Sequence, residues 1–278
     1  MPAFASFRGR SALVTGASSG IGRALALRLA REGARVALVA RRAEALAALA
    51  DEIRAAGGEA LPLSCDVADR RQAGAAAARA AEALAGVDLL VNNAGYGGHR
   101  RFLDWDVDDI ERMLRVNFLG SVYFTKALLP AMVERGSGAV VFVASVAGKI
   151  ASPDESVYAA SKFAMVGLAS ALAAEVEDAG VHVMTVCPGV IDTPFFDAEM
   201  FERMPPAARR SMVAVDGLVD AVLAGLRRGR AEVIHPRAIA AGVALGGALQ
   251  ALAPGFMRRQ VKRRTIDAVA RRRRSQPA

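Results

Sequence analysis

Cysteine is almost absent from this chain: Cys65 and Cys187 are the only two among 278 residues. Two thiols are too few for a disulfide framework, and neither stands at metal-ligand spacing from any of the three histidines, so no metal site is expected. Both read as small core residues in a reducing cytosol. A leader is also missing from the pattern. Met-Pro-Ala-Phe-Ala-Ser-Phe-Arg-Gly-Arg runs into an apolar stretch by Ala12, leaving no room for a charged region, an apolar stretch and a cleavage site. The expected location is cytoplasmic. Internal repeats and low-complexity linkers are lacking before about residue 236.

The body of the chain lacks an excess of either charge. The net charge is +8, yet from Arg258 onward nine arginines and lysines face Asp267 alone, so the tail carries the whole excess and residues 1–257 hold 27 charges of each sign. A nucleic-acid reader needs its basic surface on a folded groove reader rather than on a tail, so no nucleic-acid partner is expected.

What the chain does have is rhythm. Apolar runs at 12–14, 35–40, 60–63, 87–91, 139–144, 181–186 and 232–234 alternate with Ala- and Arg-rich helical stretches. That order predicts an α/β fold with a doubly wound parallel sheet of about seven strands flanked by helices, binding its ligand at the strands' carboxyl ends. Residues 1–235 read as a single catalytic domain. After His235-Pro236 the character changes: residues 236–278 form an extension, uncharged from 238 to 257 and then basic.

Each strand end carries chemistry. After the first comes Thr15-Gly16-Ala17-Ser18-Ser19-Gly20-Ile21-Gly22, whose glycines allow a tight turn and a close backbone approach to a pyrophosphate at a helix amino terminus. The second strand ends Ala40-Arg41-Arg42. An acidic residue there would bind ribose hydroxyls and repel a 2′-phosphate; either arginine could instead grip that phosphate. Asp66-Val67 follows the third strand, and Asn92-Asn93-Ala94-Gly95 the fourth. Asn92 could equally be a structural bracket between strands. The fifth ends at Ser145, thirteen positions before Tyr158-Ala159-Ala160-Ser161-Lys162. Tyr158 and Lys162 share a helix face, so the ammonium is expected to favour phenolate and lower the phenol's pKa, making proton transfer feasible. Ser145 can fix a substrate carbonyl beside that phenol.

Together these motifs resemble the short-chain dehydrogenase/reductase family, over residues 11 to about 235. The resemblance implies a Rossmann-type fold that moves a hydride between a nicotinamide cofactor and a carbonyl or secondary alcohol. It implies a tetrad of Asn117, Ser145, Tyr158 and Lys162, in which Asn117 bends a helix and holds a water linking Lys162 to solvent. For the cofactor it implies contacts from Gly16, Ser18, Ser19, Gly20, Ile21 and Gly22; from Asp66 and Val67 at the adenine; and from Asn93, Ala94 and Gly95 beside the adenosine ribose. Tyr158 and Lys162 would touch the cofactor too, with Lys162 on a ribose. Pro188 and Gly189, with Ile191 and Thr193, would hold the nicotinamide carboxamide. It favours Arg41 as phosphate reader, hence NADP(H) over NAD(H), although neither Ser18 nor Ser19 is the basic residue that some NADP-preferring members carry there.

The resemblance also implies a lid over roughly 194–213, where Phe195, Phe196, Met200, Phe201 and Met204 suit an apolar steroid-, retinoid- or lipid-like substrate or simply pack on the protein itself. Tyr96 and His99 are expected on the pocket's other side. In the extension, Leu245, Leu249, Leu252 and Phe256 form a helical stripe. Eleven of the twenty residues 238–257 are Ala or Gly and Pro254 interrupts them, so a membrane span is not expected. The stripe packs on the body or on a second subunit, as a homodimer or homotetramer would need, or it lies with the basic residues through 274 on the inner face of an anionic membrane. Two other readings are 3-oxoacyl-acyl-carrier-protein reductase, whose usual chain would end near 235, and a non-catalytic dinucleotide sensor, which would normally lack the Tyr-Lys pair.

Overall fold

The computed structural model describes residues 4–260 apart from 197, 205 and 258. Its sheet contains β1 (Ser11–Thr15), β2 (Arg35–Ala40), β3 (Glu59–Ser64), β4 (Leu89–Asn92), β5 (Gly138–Val143), β6 (Val181–Pro188) and β7 (Glu232–His235). All are parallel, in the order β3-β2-β1-β4-β5-β6-β7. The seven expected strands are all present, with ends displaced by no more than two residues.

Period-two alternation explains why almost every strand residue is apolar. Ala12 and Val14 of β1, with Val36, Leu38 and Ala40 of β2, enter one core. Leu13, Ala37 and Val39 between them enter the other. Helices therefore cover both faces. The first core packs α1 (Gly20–Arg31), α2 (Ala43–Ala55) and α9 (Val215–Arg227); the second packs α3 (Arg70–Ala83), α5 (Gly120–Glu134) and α6 (Ser156–Val176), while α4 (Val107–Leu114) buries Met113 outside both. The strand order reverses between β1 and β4, and that switch point opens a crevice at the carboxyl edge.

Two regions complete the crevice. The expected lid forms α7 (Ala198–Arg203) and α8 (Pro206–Arg210), with Met200 and Met204 buried beneath. The extension forms α10 (Ala240–Leu252). It packs on the body mainly through small residues, and of the stripe only Leu249 is half-buried. Val243 and Gly246 are buried, and the Gln250 Oε1 accepts from the Ala151 N–H at 3.0 Å. Leu245, Leu252 and Phe256 stay 62%, 85% and 46% exposed. Glycine suits this face: a Cβ at Gly246 would lie 2.5 Å from Ile150 Cδ1, so a side chain there would make Ile150 shift. The basic stretch expected on a membrane lies almost wholly outside the described residues.

Candidate active site

One cavity of about 700 Å³ runs along the crevice from Arg41 and Arg42 to Ser145, Tyr158 and the lid. At its nucleotide end, Gly16 (φ +69°) and Gly20 (φ +55°) take left-handed backbone that a side chain would strain. Thr15, the first residue of the motif, organises this loop. Its Oγ1 accepts from the N–H groups of Asn93 and Ala94 at 2.9 and 3.0 Å and donates to Val91 O. Asn93 in turn donates from Nδ2 to Thr15 O at 2.9 Å, so its amide braces the glycine loop while the residue lines the cavity. Asn92 braces as well, from strand to helix rather than between strands, by donating to Thr125 Oγ1 on α5.

The first turn of α1 carries no side-chain cap, leaving its N–H groups for an anion. Arg42 donates from Nε and Nη2 to Ser18 Oγ at 3.3 and 3.0 Å, which brings a cation to the glycine loop although the loop itself has none. Arg41, Asp66, Val67, Ala94 and Gly95 line the same end. Asp66 is already engaged, since its Oδ2 accepts from Arg112 at 3.1 Å. Under the lid, Pro188, Gly189, Ile191 and Thr193 line the opposite wall, and a Cβ at Gly20 would touch Thr193 at 3.4 Å, so the glycine loop and this wall nearly meet. A continuous cavity with a bare helix terminus and two cations at one end fits a dinucleotide. Such a cofactor would supply or accept the hydride; the groups placed to hold it are the α1 terminus, Arg41, Arg42 and the 188–193 segment.

At the other end, Ser145 closes β5 and caps a 3₁₀ turn, Val146–Gly148, its Oγ accepting from Ala147 N–H at 3.1 Å. The same hydroxyl hydrogen-bonds Tyr158. Lys162, one turn further along α6, is buried; its Nζ donates to Val143 O at 3.0 Å and lies 5.7 Å from the centre of the Tyr158 ring. Asn117 sits in a π-turn, Arg115–Leu119, between α4 and α5. Its Nδ2 donates to Tyr96 O and to Ser161 Oγ, and its Oδ1 accepts from Tyr96 N–H. The π-turn is the helix bend that the resemblance implied. Ser145, Tyr158 and Lys162 thus line one cavity, and Asn117 lies behind it, bonded to Tyr96 and Ser161.

Electrostatics depart from expectation at the phenol. Burial raises its pKa, with the Glu155 carboxylate and Cys187 adding to the rise, and only the Ser145 hydrogen bond opposes it. The ammonium bonds to a carbonyl rather than to the phenol oxygen, so i,i+4 spacing alone does not lower the phenol. Burial likewise depresses Lys162 to about 8 and pushes the Cys187 thiol up to about 12, keeping the latter protonated and inert.

A family model for short chain dehydrogenases matches residues 10–203. The chain belongs to the short-chain dehydrogenase/reductase family. It is therefore an oxidoreductase of that family, and it is 40% identical over 191 residues to oxidoreductase UcpA of Salmonella typhimurium, covering 68% of this chain and 72% of that one. A short-chain dehydrogenase/reductase from Burkholderia phymatum, solved in complex with NAD, superposes with a TM-score of 0.81 at 30% identity, covering 89% of this chain and 96% of that one. A metagenomic short-chain oxidoreductase solved with NADP gives 0.71 at 32% identity, covering 83% and 98%. Family members thus occur with either cofactor.

As a short-chain dehydrogenase, this chain has features that its motifs do not spell out. Ser161 Oγ relays between Asn117 Nδ2 at 3.1 Å and Tyr158 O at 2.7 Å. Phe195 lies 5.9 Å from the Tyr158 ring and 5.1 Å from Phe196, building an apolar wall with Met200 and Met204. Val243 of α10 also lines the cavity, so the extension contributes to the site. Tyr96 and His99 line it from the other side, as expected.

Proposed function

We propose that this chain is an NADP(H)-dependent oxidoreductase that moves a hydride between the nicotinamide and a carbonyl or secondary alcohol of an apolar substrate. The observation that carries the reading is the single cavity joining Arg41 and Arg42 at one end to Ser145, Tyr158 and Lys162 at the other. Ser145 holds the substrate oxygen against the phenol, and Tyr158 gives or takes its proton. Lys162 supplies positive charge at the base of the site, and Asn117 fixes the backbone of Tyr96 and the Ser161 hydroxyl around it. The phenyl and thioether wall of the lid favours a largely hydrocarbon substrate. Arg41, with Arg42 anchored on Ser18 beside it, offers a 2′-phosphate two charge-assisted donors, which supports NADP(H).

Following reduced-nicotinamide absorbance with ketones, aldehydes and alcohols under each cofactor tests this reading. Tyr158→Phe is expected to leave cofactor affinity nearly intact and to lower turnover by about a hundredfold or more, the usual scale of general acid-base loss. A near-normal rate in that variant removes the central role of Tyr158, and equal use of both cofactors by the parent removes the NADP(H) assignment.

The fold division proposed with this function is a catalytic unit over 1–235 and an extension over 236–278. We assign the extension to peripheral attachment at an anionic membrane face on the cytoplasmic side, and the protein to a homo-oligomer. The exposed side chains of Leu245, Leu252 and Phe256 precede a run whose net charge is +8, and apolar insertion beside headgroup-binding cations is the pattern such a surface requires.

A further inference from the structure

A polar pair stands in the substrate half of the cavity without a part in hydride or proton transfer. His99 Nε2 lies 3.4 Å from Glu155 Oε1, and both residues line the cavity that holds Ser145 and Tyr158. They come from different loops, His99 from the one after β4 and Glu155 from the one after β5. A backbone bond, Arg100 N–H to Asp154 O at 2.8 Å, already ties those loops together. Glu155 stands at the N-cap of α6, three positions before Tyr158, and both residues line the same cavity.

The surroundings make the pair costly. Phe195, Phe196, Met200, Met204 and Ile150 give the cavity an apolar lining. A carboxyl in such a place is destabilising unless it is hydrogen-bonded, and burial together with the neighbouring Asp154 carboxylate pushes Glu155 up to about 7. A clamp between loops needs only the His99 contact. Yet the Glu155 side chain keeps 25% of its exposure while it lines the cavity, and a carboxylate has about four acceptor positions, of which His99 engages one. Its charge also reaches the phenol of Tyr158.

We propose that His99 and Glu155 form a second polar anchor, which selects substrates carrying a second hydroxyl remote from the carbonyl or alcohol carbon that reacts at Tyr158. This rests on the carbonyl reductase reading above and narrows its substrate class to hydroxylated, otherwise apolar ketones and their alcohols. Glu155 accepts the remote hydroxyl's hydrogen; His99 holds the carboxylate in position. An analogue with a methyl group in place of that hydroxyl leaves the carboxylate's remaining acceptor positions facing a methyl group, which is how a buried polar group discriminates between molecules of one shape.

The test uses the full-length protein with NADPH and shape-matched ketones: 4-hydroxycyclohexanone against 4-methylcyclohexanone, and the corresponding hydroxy and methyl decalones for longer reach. In the parent, kcat/KM is expected to favour the hydroxyl probe of at least one pair by roughly tenfold or more, the usual worth of a hydrogen bond to a charged group. Glu155→Leu should bring that ratio to about one or invert it, with Glu155→Gln between; NADPH affinity, read by fluorescence, reports that each variant is folded. A loop clamp alone predicts that both probes slow together and the ratio survives in Glu155→Leu, and that result overturns the anchor. So does a parent that reduces both probes of each pair without favouring the hydroxyl. Those outcomes leave the reductase reading standing, whereas a parent that transfers hydride to neither member of any pair overturns both.

Discussion

Arg42 reaches from the end of β2 to Ser18, while Arg41 beside it lines the same cavity, so both are available to the proposed 2′-phosphate. Both side chains are exposed, which puts each contact at the low end of the range for charged hydrogen bonds, about 1–1.5 kcal/mol. Arg41→Ala and Arg42→Ala are each expected to weaken NADPH binding about five- to tenfold with little effect on NADH; equal losses for both cofactors in a fluorescence titration would refute the phosphate role. Glu155 yields a prediction of a different kind. In the unfolded chain a glutamate titrates near 4.5, in the folded one at about 7. Between those values the folded protein retains a proton that the unfolded chain has released, so unfolding releases it and stability falls as pH rises through that window. Lys162, depressed to about 8 from 10.5, acts with the opposite sign, stabilising as pH climbs between those values. Melting temperatures of the parent minus those of Glu155→Gln should therefore decline from about pH 4.5 to 7; parallel curves would show that the carboxyl titrates normally.

At the scale of elements, the site depends on how closely the turn after β5 lies on α6. A Cβ at Gly148 would stand 2.8 Å from Lys162 O and 2.9 Å from Lys162 C, backbone atoms that cannot rotate aside. Gly148→Ala is expected to push the turn, and Ser145 with it, away from Tyr158, costing about 1–3 kcal/mol as overpacking does and lowering kcat more than cofactor affinity. A variant with parental melting temperature and kcat would show that the turn has slack. The strands were legible because each is an apolar run bounded by polar or glycine punctuation, and the ligand edge followed from their parallel order. Ser145, Tyr158 and Lys162 were legible because strand end and i,i+4 spacing place them. The contacts Arg42–Ser18, Asp66–Arg112 and His99–Glu155 were not, since they join segments distant in sequence and no spacing encodes them. The phenol's raised pKa was missed for a related reason: periodicity shows who shares a face but not how deeply the face is buried. On α10 the stripe of large side chains left the packed face open, and the closest approach to the body falls at Gly246, where the side chain is smallest.

For the molecule as a whole, charge and exposure point in one direction. Residues 1–257 are electrically balanced, α10 turns Leu245 and Leu252 outward, and the net +8 follows immediately along the chain. Because Val243 lines the cavity and Gly246 lies against Ile150, deleting everything after His235 would open the active site as well as remove any anchor. A cut after Met257 removes the cations alone, and Leu245→Asp with Leu252→Asp removes the apolar face alone. Each cation at an anionic surface contributes about 1 kcal/mol at low salt, so engagement of even three would change partitioning by roughly a hundredfold. Full-length protein is therefore expected to float with vesicles of three parts phosphatidylcholine to one part phosphatidylserine and not with phosphatidylcholine alone. Added salt should release it as screening shortens the reach of each charge. The cut after Met257 should abolish flotation while leaving kcat near the parental value, and the double aspartate should weaken it at constant charge in the tail. If instead the outward face of α10 holds a second copy of the chain, the double aspartate lowers the mass measured by light scattering and the cut after Met257 does not. Full-length protein that ignores anionic vesicles at low salt ends the membrane reading, whatever the mass.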